Sequence, residues 1–375
     1  MKIVVICIFG IESVTAKELR DLGFRDLDVS NGRISFEGDF KDIAKCNLNL
    51  RTAERVYIEV AGFKAFDFDT LYDGIRQISW NDIMPSNASI PVRASSIDSR
   101  LYSTRDCQSI SKKAIADSLC SAYGLQRLEE DGAIYPIEVF IHRDIASICL
   151  DTTGTGLHKR GYRLLNVEAP LKETIAAALI GISYWKPGRV LLDPFCGSGT
   201  FAIEAAQMQQ GIPPGINRSF GFEGWSNVYE VTLNGLKNEA MGDIRHEGEC
   251  VIFGSDISAQ NIEIALKHAE MAGVGKFIRF SVKDFRKIEK DHEYGIMIAN
   301  PPYGLRLSDK SEIIGMYADL GRKMKEFDTW SKYILTDDDN FERNSGCRAS
   351  RKRKIYNGTI RCTFYQYFGP SPNNR

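Results

Sequence analysis

The sequence predicts an α/β protein: an α+β N-terminal region, then an open, doubly wound parallel sheet that closes with an antiparallel C-terminal hairpin. Three observations predict it. Up to about residue 155, short strand-like runs alternate with single helices and hairpin signals. From about residue 164 strand and helix patterns alternate regularly, and Asn357-Gly358 separates two alternating runs near the end. At roughly 150 residues per domain, 375 residues suggest two or three domains.

The elements follow in order. Lys2–Phe9 reads as a buried strand, Glu12–Leu22 as a helix with Val14, Leu19 and Leu22 at helical spacing, and Asp28–Phe36 as a hairpin around Asn31-Gly32. Helix Asp39–Leu50, strand Arg55–Phe63, helix Asp67–Ser79, strand Ile90–Ser95 and helix Asp106–Tyr123 come next. Ile137–His142 and Ile145–Asp151 read as adjacent strands. Together they suggest small α+β layers rather than one large parallel sheet. Beyond them, helices Ala169–Trp185, Ser198–Gln210, Ala259–Gly273 and Glu312–Phe327 alternate with strands Arg189–Asp193, Cys250–Ser255, Phe277–Val282, Gly295–Ala299 and Lys332–Thr336. A Gly/Pro-rich interruption spans Gln210–Asn227, and Lys354–Tyr356 with Thr359–Phe368 form the closing hairpin.

Composition excludes several classes. Hydrophobic residues at 43% and charged residues at 26% are ordinary for a soluble chain with a real core. The longest apolar run, Ile3–Phe9, is far short of the ~20 residues that span a bilayer, and no small-residue cleavage site follows it. Nine cysteines, none closer than thirteen residues to the next, form no CxxC pair, and the five histidines are scattered. A reduced, cytoplasmic, metal-free protein is expected. The net charge of −1 excludes a uniformly basic coat, yet it conceals a division. No acid follows Glu342, so the last 33 residues carry +8 and the first 342 carry −9.

The first chemical motif is Asp193-Pro194-Phe195-Cys196-Gly197-Ser198-Gly199-Thr200, where a strand ends and a helix begins. With Ala202 it matches a dinucleotide fingerprint, but no acid stands about 20 residues beyond, where a nicotinamide ribose needs one. Instead Asp193 precedes the glycines, which suits a cationic ligand rather than a pyrophosphate. S-adenosylmethionine carries an ammonium and a sulfonium, and Asp256, in Gly254-Ser255-Asp256-Ile257, is placed for its ribose hydroxyls. Asp284 follows the next strand and suits the adenine amine, with Phe285 or Ile257 on the ring. Cys196, inside the loop, is expected to pack beside the cofactor rather than act as a nucleophile.

The second motif is Asn300-Pro301-Pro302-Tyr303-Gly304 after a buried strand. Two prolines fix the backbone and leave carbonyls free to accept. The Asn300 amide oxygen and the Pro301 carbonyl suit the hydrogens of one exocyclic amine, and Tyr303 offers a stacking face to an extruded base. Catalysis by positioning is the chemistry expected.

These two motifs resemble those of class I S-adenosylmethionine-dependent amino-methyltransferases. With Leu157-His158-Lys159-Arg160-Gly161-Tyr162-Arg163, Ala169-Pro170-Leu171-Lys172-Glu173 and Lys354-Ile355-Tyr356-Asn357-Gly358, the whole chain is similar to the THUMP-containing RNA guanine methyltransferases, especially the bacterial 23S rRNA branch. The resemblance implies a ferredoxin-like subdomain over residues 1–62, a THUMP RNA-binding domain over 63–155, a linker over 156–168 and a Rossmann-like methyltransferase domain over 169–375. It implies that Asn300, Pro301, Pro302 and Tyr303 hold the target base. It also implies that Asp193, Phe195, Cys196, Gly197, Gly199, Thr200, Asp256, Ile257, Asp284 and Phe285 hold S-adenosylmethionine. RNA is the expected partner, as 23S rRNA or an assembly intermediate, or as tRNA in a relative of the same chemistry. Phosphate contacts are expected from His158, Lys159, Arg160 and Arg163 across the gap between the halves. The same is expected of Arg351, Lys352, Arg353 and Lys354 in the acid-free tail. Oligomeric state and the role of Gln210–Asn227 stay open.

Overall fold

The longest apolar run becomes β1 (Lys2–Cys7), an inner strand of a seven-stranded sheet. The structure, a computed structural model, describes residues 1–163, 171–225, 227–302, 310–358 and 360–371, the side chains at 227, 228 and 310 aside. The N-terminal region continues through α1 (Glu12–Asp21), β2 (Asp28–Ser30), β3 (Arg33–Glu37), α2 (Phe40–Asn49), β4 (Ala53–Lys64), α3 (Phe68–Arg76), β5 (Val92–Ile97), α4 (Thr104–Tyr123), β6 (Ile137–His142) and β7 (Ile145–Asp151). Across the sheet the order is β2-β3-β1-β4-β7-β6-β5. Only β5 and β6 pair in parallel, joined by α4 as a crossover.

β4 is twelve residues long: Ala53–Glu59 run along β1 and Tyr57–Lys64 along β7, that second ladder shifting register between Glu59 and Ala61. The expected boundary at residue 62 falls inside this strand. The two N-terminal parts share one mixed, mostly antiparallel sheet rather than a large parallel one, as expected. Glu59 ties the seam, accepting from Lys2 at 2.9 Å and from Ser147 at 2.8 Å while pairing with Arg33.

A second sheet carries the chemistry. It is built from α5 (Glu173–Ile182), β8 (Leu191–Asp193), α6 (Thr200–Gln210), α7 (Asn227–Gly242), β9 (Ile252–Asp256), α8 (Ala259–Met271), β10 (Ile278–Val282), β11 (Ile296–Ala299), α9 (Lys310–Glu326), β12 (Ser331–Thr336), α10 (Phe341–Ser345), β13 (Arg351–Asn357) and β14 (Ile360–Tyr367). The order is β10-β9-β8-β11-β12-β14-β13, parallel from β10 to β12 and antiparallel beyond. Every residue of β11 and β12 is buried, as strands covered on both faces require. The chain winds outward in both directions from β8 and β11. Their carboxyl ends therefore open the crevice in which such sheets bind ligands.

Three elements differ from expectation. The helix expected at 169–185 is α5, which ends where the Ser183 amide bonds to Leu179 O at 3.0 Å; residues 164–170 lie outside the described set. α7 carries no comparable signal, because Asn234, Gly235 and Asn238 depress helix propensity and neighbours supply what the segment lacks. Its Tyr229 stacks on Phe40 of α2 at 4.1 Å. β13 starts at Arg351 rather than Lys354, its charged residues being tolerable on an edge strand.

The Gln210–Asn227 interruption acquires a structural role: it bolts the two halves together. Gly215 N donates to Leu48 O at 2.9 Å, Gly221 N to Thr153 O at 3.2 Å and Phe222 N to Thr152 O at 3.1 Å. Trp225 stacks on Tyr135 at 5.0 Å. The Arg218 guanidinium binds the carbonyls of Gly156 at 2.9 Å and Lys159 at 3.1 Å, and that of Thr155.

Candidate active site

At the carboxyl ends of β8, β9 and β11 lies a cavity of about 1000 Å³, lined by both sequence motifs. Asp193, the last residue of β8, is 2% exposed, and its Oδ1 accepts from Phe195 N at 3.1 Å. Burial pushes its carboxyl up to about 8 and the charge of Asp256 adds to that, while the Phe195 amide works the other way. The loop then turns sharply. Gly199 has φ +84°, and a Cβ there would stand 3.0 Å from the Phe280 ring and 3.1 Å from Ala265, so glycine lets α6 begin at Thr200 directly behind the cavity. Cys196 N donates to Ser255 O at 2.9 Å, stitching the loop to β9. The buried Cys196 thiol is pushed well above its ordinary range, first by burial and then by the two aspartates, so it is no thiolate.

Asp256 ends β9. Its Oδ2 accepts from Gly197 N at 3.0 Å and its Oδ1 from Ser258 N at 2.9 Å and Asn261 Nδ2 at 3.1 Å. Ile257 beside it is exposed into the cavity. Asp284 follows β10; it accepts from the Arg286 amide at 2.9 Å and from Arg286 Nη1 at 3.0 Å. Phe285 is buried, 4.7 Å from Phe195, and the Arg286 guanidinium lies 4.8 Å above its ring. Arg286 also binds Asp319 of α9 at 2.5 Å.

Asn300 follows β11 directly. Its Oδ1 is buried without a hydrogen-bond partner among the described residues, an uncommon and costly state for an amide oxygen beside a cavity. Pro301 is buried and Pro302 lines the cavity. Tyr303 and Gly304 lie outside the described residues.

Thus Asp193, Phe195, Cys196, Gly197, Thr200, Asp256, Ile257, Asp284, Phe285, Asn300 and Pro302 converge on one cavity, with Gly199 shaping the loop behind it. Asn261, Arg286, Glu312, Asp319 and Arg322 line it too and were not anticipated. Polar residues on helices carry the same signal as a solvated face, so nothing in their spacing marks them.

The four bases expected to bridge the halves are redistributed. Arg160 is a correction: it is 3% exposed, 3.4 Å from the buried Glu204, and donates to Leu157 O at 2.7 Å, so it supports the core and meets no phosphate. Arg163 turns inward as well. Its Nη2 donates to Thr200 Oγ1 at 2.6 Å and Leu171 O at 3.2 Å, and its Nη1 lies 3.4 Å from Glu173. Thr200 and Leu171 both line the cavity, so Arg163 braces it from behind. His158 faces Glu54 at 3.4 Å. Although burial opposes it, hydrogen bonds from His158 and Thr174 and the charge of Lys172 hold the Glu54 carboxyl down to about 2. Lys159 alone of the four is exposed. In the tail, Arg351, Lys352 and Lys354 are exposed and Arg353 is half-buried. Among the described residues no three His, Cys, Asp or Glu side chains gather to hold a metal ion. No helix among them is long and apolar enough to cross a membrane.

A doubly wound sheet with strand-end acids around a glycine loop, and an Asn-Pro-Pro turn on the neighbouring strand, is the frame of a group-transfer enzyme. The chain belongs to the RMKL-like methyltransferase domain family, whose model matches residues 160–366, and it is a methyltransferase. An RlmL ferredoxin-like domain matches residues 2–57 and a THUMP domain residues 65–151. YpsC of Bacillus subtilis (strain 168), provisionally named an RNA methyltransferase, is 44% identical over 96% of this chain and 94% of its own length. The ribosomal RNA large subunit methyltransferase K/L of Psychromonas ingrahamii is 35% identical over 96% of this chain, which spans 49% of that protein. The crystal structure of SMU.472, provisionally named a methyltransferase and complexed with SAH, superposes with a TM-score of 0.93 at 39% identity, covering 99% of this chain and 98% of that one.

Proposed function

We propose that the protein is an S-adenosylmethionine-dependent RNA methyltransferase acting on the exocyclic amine of a guanine, in large-subunit ribosomal RNA in the bacterial cytoplasm. The observation that carries this reading is the buried, unpartnered Asn300 Oδ1 at the rim of a cavity that holds three strand-end aspartates. The residues fit the cofactor. Asp193 would hold its ammonium, the open start of α6 its carboxylate, the unused lone pairs of Asp256 its ribose hydroxyls and Asp284 its adenine amine, with Ile257 and Phe285 against the ring. When bound, S-adenosylmethionine supplies an electrophilic methyl group on a sulfonium.

The chain's own work is then positioning. Asn300 Oδ1 and the Pro301 carbonyl accept the two hydrogens of the target amine, which holds the nitrogen lone pair out of conjugation and aims it at the donor. Pro302 stiffens that turn, and Tyr303 takes the stacking role. As the C–N bond forms the C–S bond breaks and S-adenosylhomocysteine leaves. The methylated nitrogen, now positively charged and strongly acidic, sheds one hydrogen as a proton to water, since the Asn300 amide is no base. The ribosomal RNA named for the relative from Psychromonas ingrahamii supports the substrate class, and the matched THUMP domain supports RNA over DNA.

Mass spectrometry of modified nucleosides from a deletion strain tests the reading. Loss of N2-methylguanosine from 23S rRNA is expected. The same loss confined to tRNA would move the substrate to the tRNA-directed alternative, and loss of N6-methyladenosine would overturn the guanine assignment.

A further inference from the structure

A second contact between the halves leaves its aromatic rings open to solvent. Phe9, in the loop after β1, meets Tyr356 of β13 edge to face, with ring centroids 6.2 Å apart at 67°. The loop is shaped for this approach: Gly10 has φ +95°, and a Cβ there would stand 2.7 Å from Lys354 O. Arg353 reaches Ser13 Oγ at 3.5 Å beside it. Elsewhere between the halves the aromatics close up, as with Tyr135 at 3% exposure under Trp225. Here Phe9 is 52% exposed and Tyr356 39%.

Register shows what surrounds the pair. Tyr356 is opposite Arg361 and Lys354 opposite Thr363, so Lys354, Tyr356 and Arg361 share one face of the hairpin. Arg361 is held by Asp339 at 2.7 Å, whereas no carboxylate among the described residues pairs with Lys354. Height along the sheet follows from the same pairings. Ala299 is level with Ile334, and Thr336 with Thr363 and so with Lys354. Lys354 therefore stands level with Pro301, and Tyr356 stands two residues, about 6.6 Å, further toward the catalytic end. Three strand spacings, about 14 Å, separate the hairpin edge from β11. By the same pairings Lys352 is level with Ala299 and Arg351 with Ile298, below Asn300, and Lys352 is held by Glu342 at 2.7 Å.

We propose that Phe9 and Tyr356, with Lys354, form a platform shared by the two halves that stacks an unpaired RNA base flanking the target nucleotide and neutralises its phosphate. Two open aromatic rings beside unpaired positive charge are the chemistry that single-stranded nucleic acid recognises, since every base has a face to stack and every linkage a negative charge. The inference rests on the RNA reading above.

The test uses the full chain and a fluorescein-labelled oligouridylate. Phe9→Ala and Tyr356→Ala should each weaken binding about tenfold with an unchanged salt slope, and Tyr356→Phe should retain it. Lys354→Ser should lower the salt slope by about one. Calorimetric affinity for S-adenosylmethionine, unchanged in both alanine variants, verifies their fold. Independently, Trp placed by Tyr356→Trp should lose fluorescence on oligouridylate addition. If the wild-type chain binds no RNA, the RNA reading falls and the platform with it. If it binds, while both alanine variants bind equally well and the Trp does not quench, the platform alone is overturned.

Discussion

Asp193 is 2% exposed, and its carboxyl, raised to about 8, stays largely protonated at neutral pH until a cation arrives. The sign follows from linkage. A raised carboxyl stabilises the cofactor-free fold fully below its ordinary value of about 4 and loses that contribution as pH rises through about 8. A cationic cofactor prefers the ionised form, so binding releases a proton. Affinity for S-adenosylmethionine should therefore rise by up to about tenfold per pH unit from pH 6.5 to 8, and flatten in Asp193→Asn; calorimetry in buffers of different ionisation heat reads both. A wild-type affinity flat over that range would contradict it. Arg163 makes a second prediction at this scale. Arg163→Met removes the braces on Thr200 and Leu171, so cofactor affinity should fall about tenfold while oligouridylate binding holds. A phosphate-contacting Arg163 predicts the reverse, and Arg163→Lys should restore part of the loss if bracing is its role.

At the scale of elements, the loop into α6 and the turn after β11 are legible in the sequence because their chemistry is local. Asp193, the loop glycines and Asn300-Pro301-Pro302 act through backbone shape and strand-end position, which spacing reveals. What stays hidden depends on burial and partners. Arg160 and Arg163 look like surface bases until Glu204 and Thr200 appear beside them, and α7 looks like a loop until α2 covers it. The run from Arg351 to Lys354 shows the same limit: a string of charges has no direction until the register of β13 gives it one. Lys354 lies level with Pro301 and pairs with no carboxylate among the described residues, whereas Lys352 is held by Glu342 and Arg351 lies level with Ile298. Lys354→Ser should therefore reduce the salt dependence of RNA binding more than Arg351→Ser or Lys352→Ser. Equal effects from all three would return the run to a diffuse positive field.

Across the whole molecule, a near-neutral sum describes two divided surfaces held in fixed relation. Acids line the cavity and the acid-free tail gathers its bases on the closing hairpin, while Gln210–Asn227, the Arg160 contact with the Arg51 carbonyl and the Phe9 loop clamp one half to the other. Removing one partner of the buried pair should be costly: Glu204→Ala should lower the stability of the fold by about 3 kcal/mol or more, seen as a shifted denaturant midpoint, while Arg160→Met with Glu204→Leu should cost less. A loss in the double variant equal to the sum of the Arg160→Met and Glu204→Leu losses would show that the pair is not coupled. The central claim is that Asn300 presents an amine to a bound methyl donor. Transfer of labelled methyl from S-adenosylmethionine to rRNA of the deletion strain, measured for wild type and Asn300→Ala, tests it most directly. The variant should bind the cofactor as wild type does and lose transfer by about a hundredfold or more. A variant that transfers at the wild-type rate would contradict it.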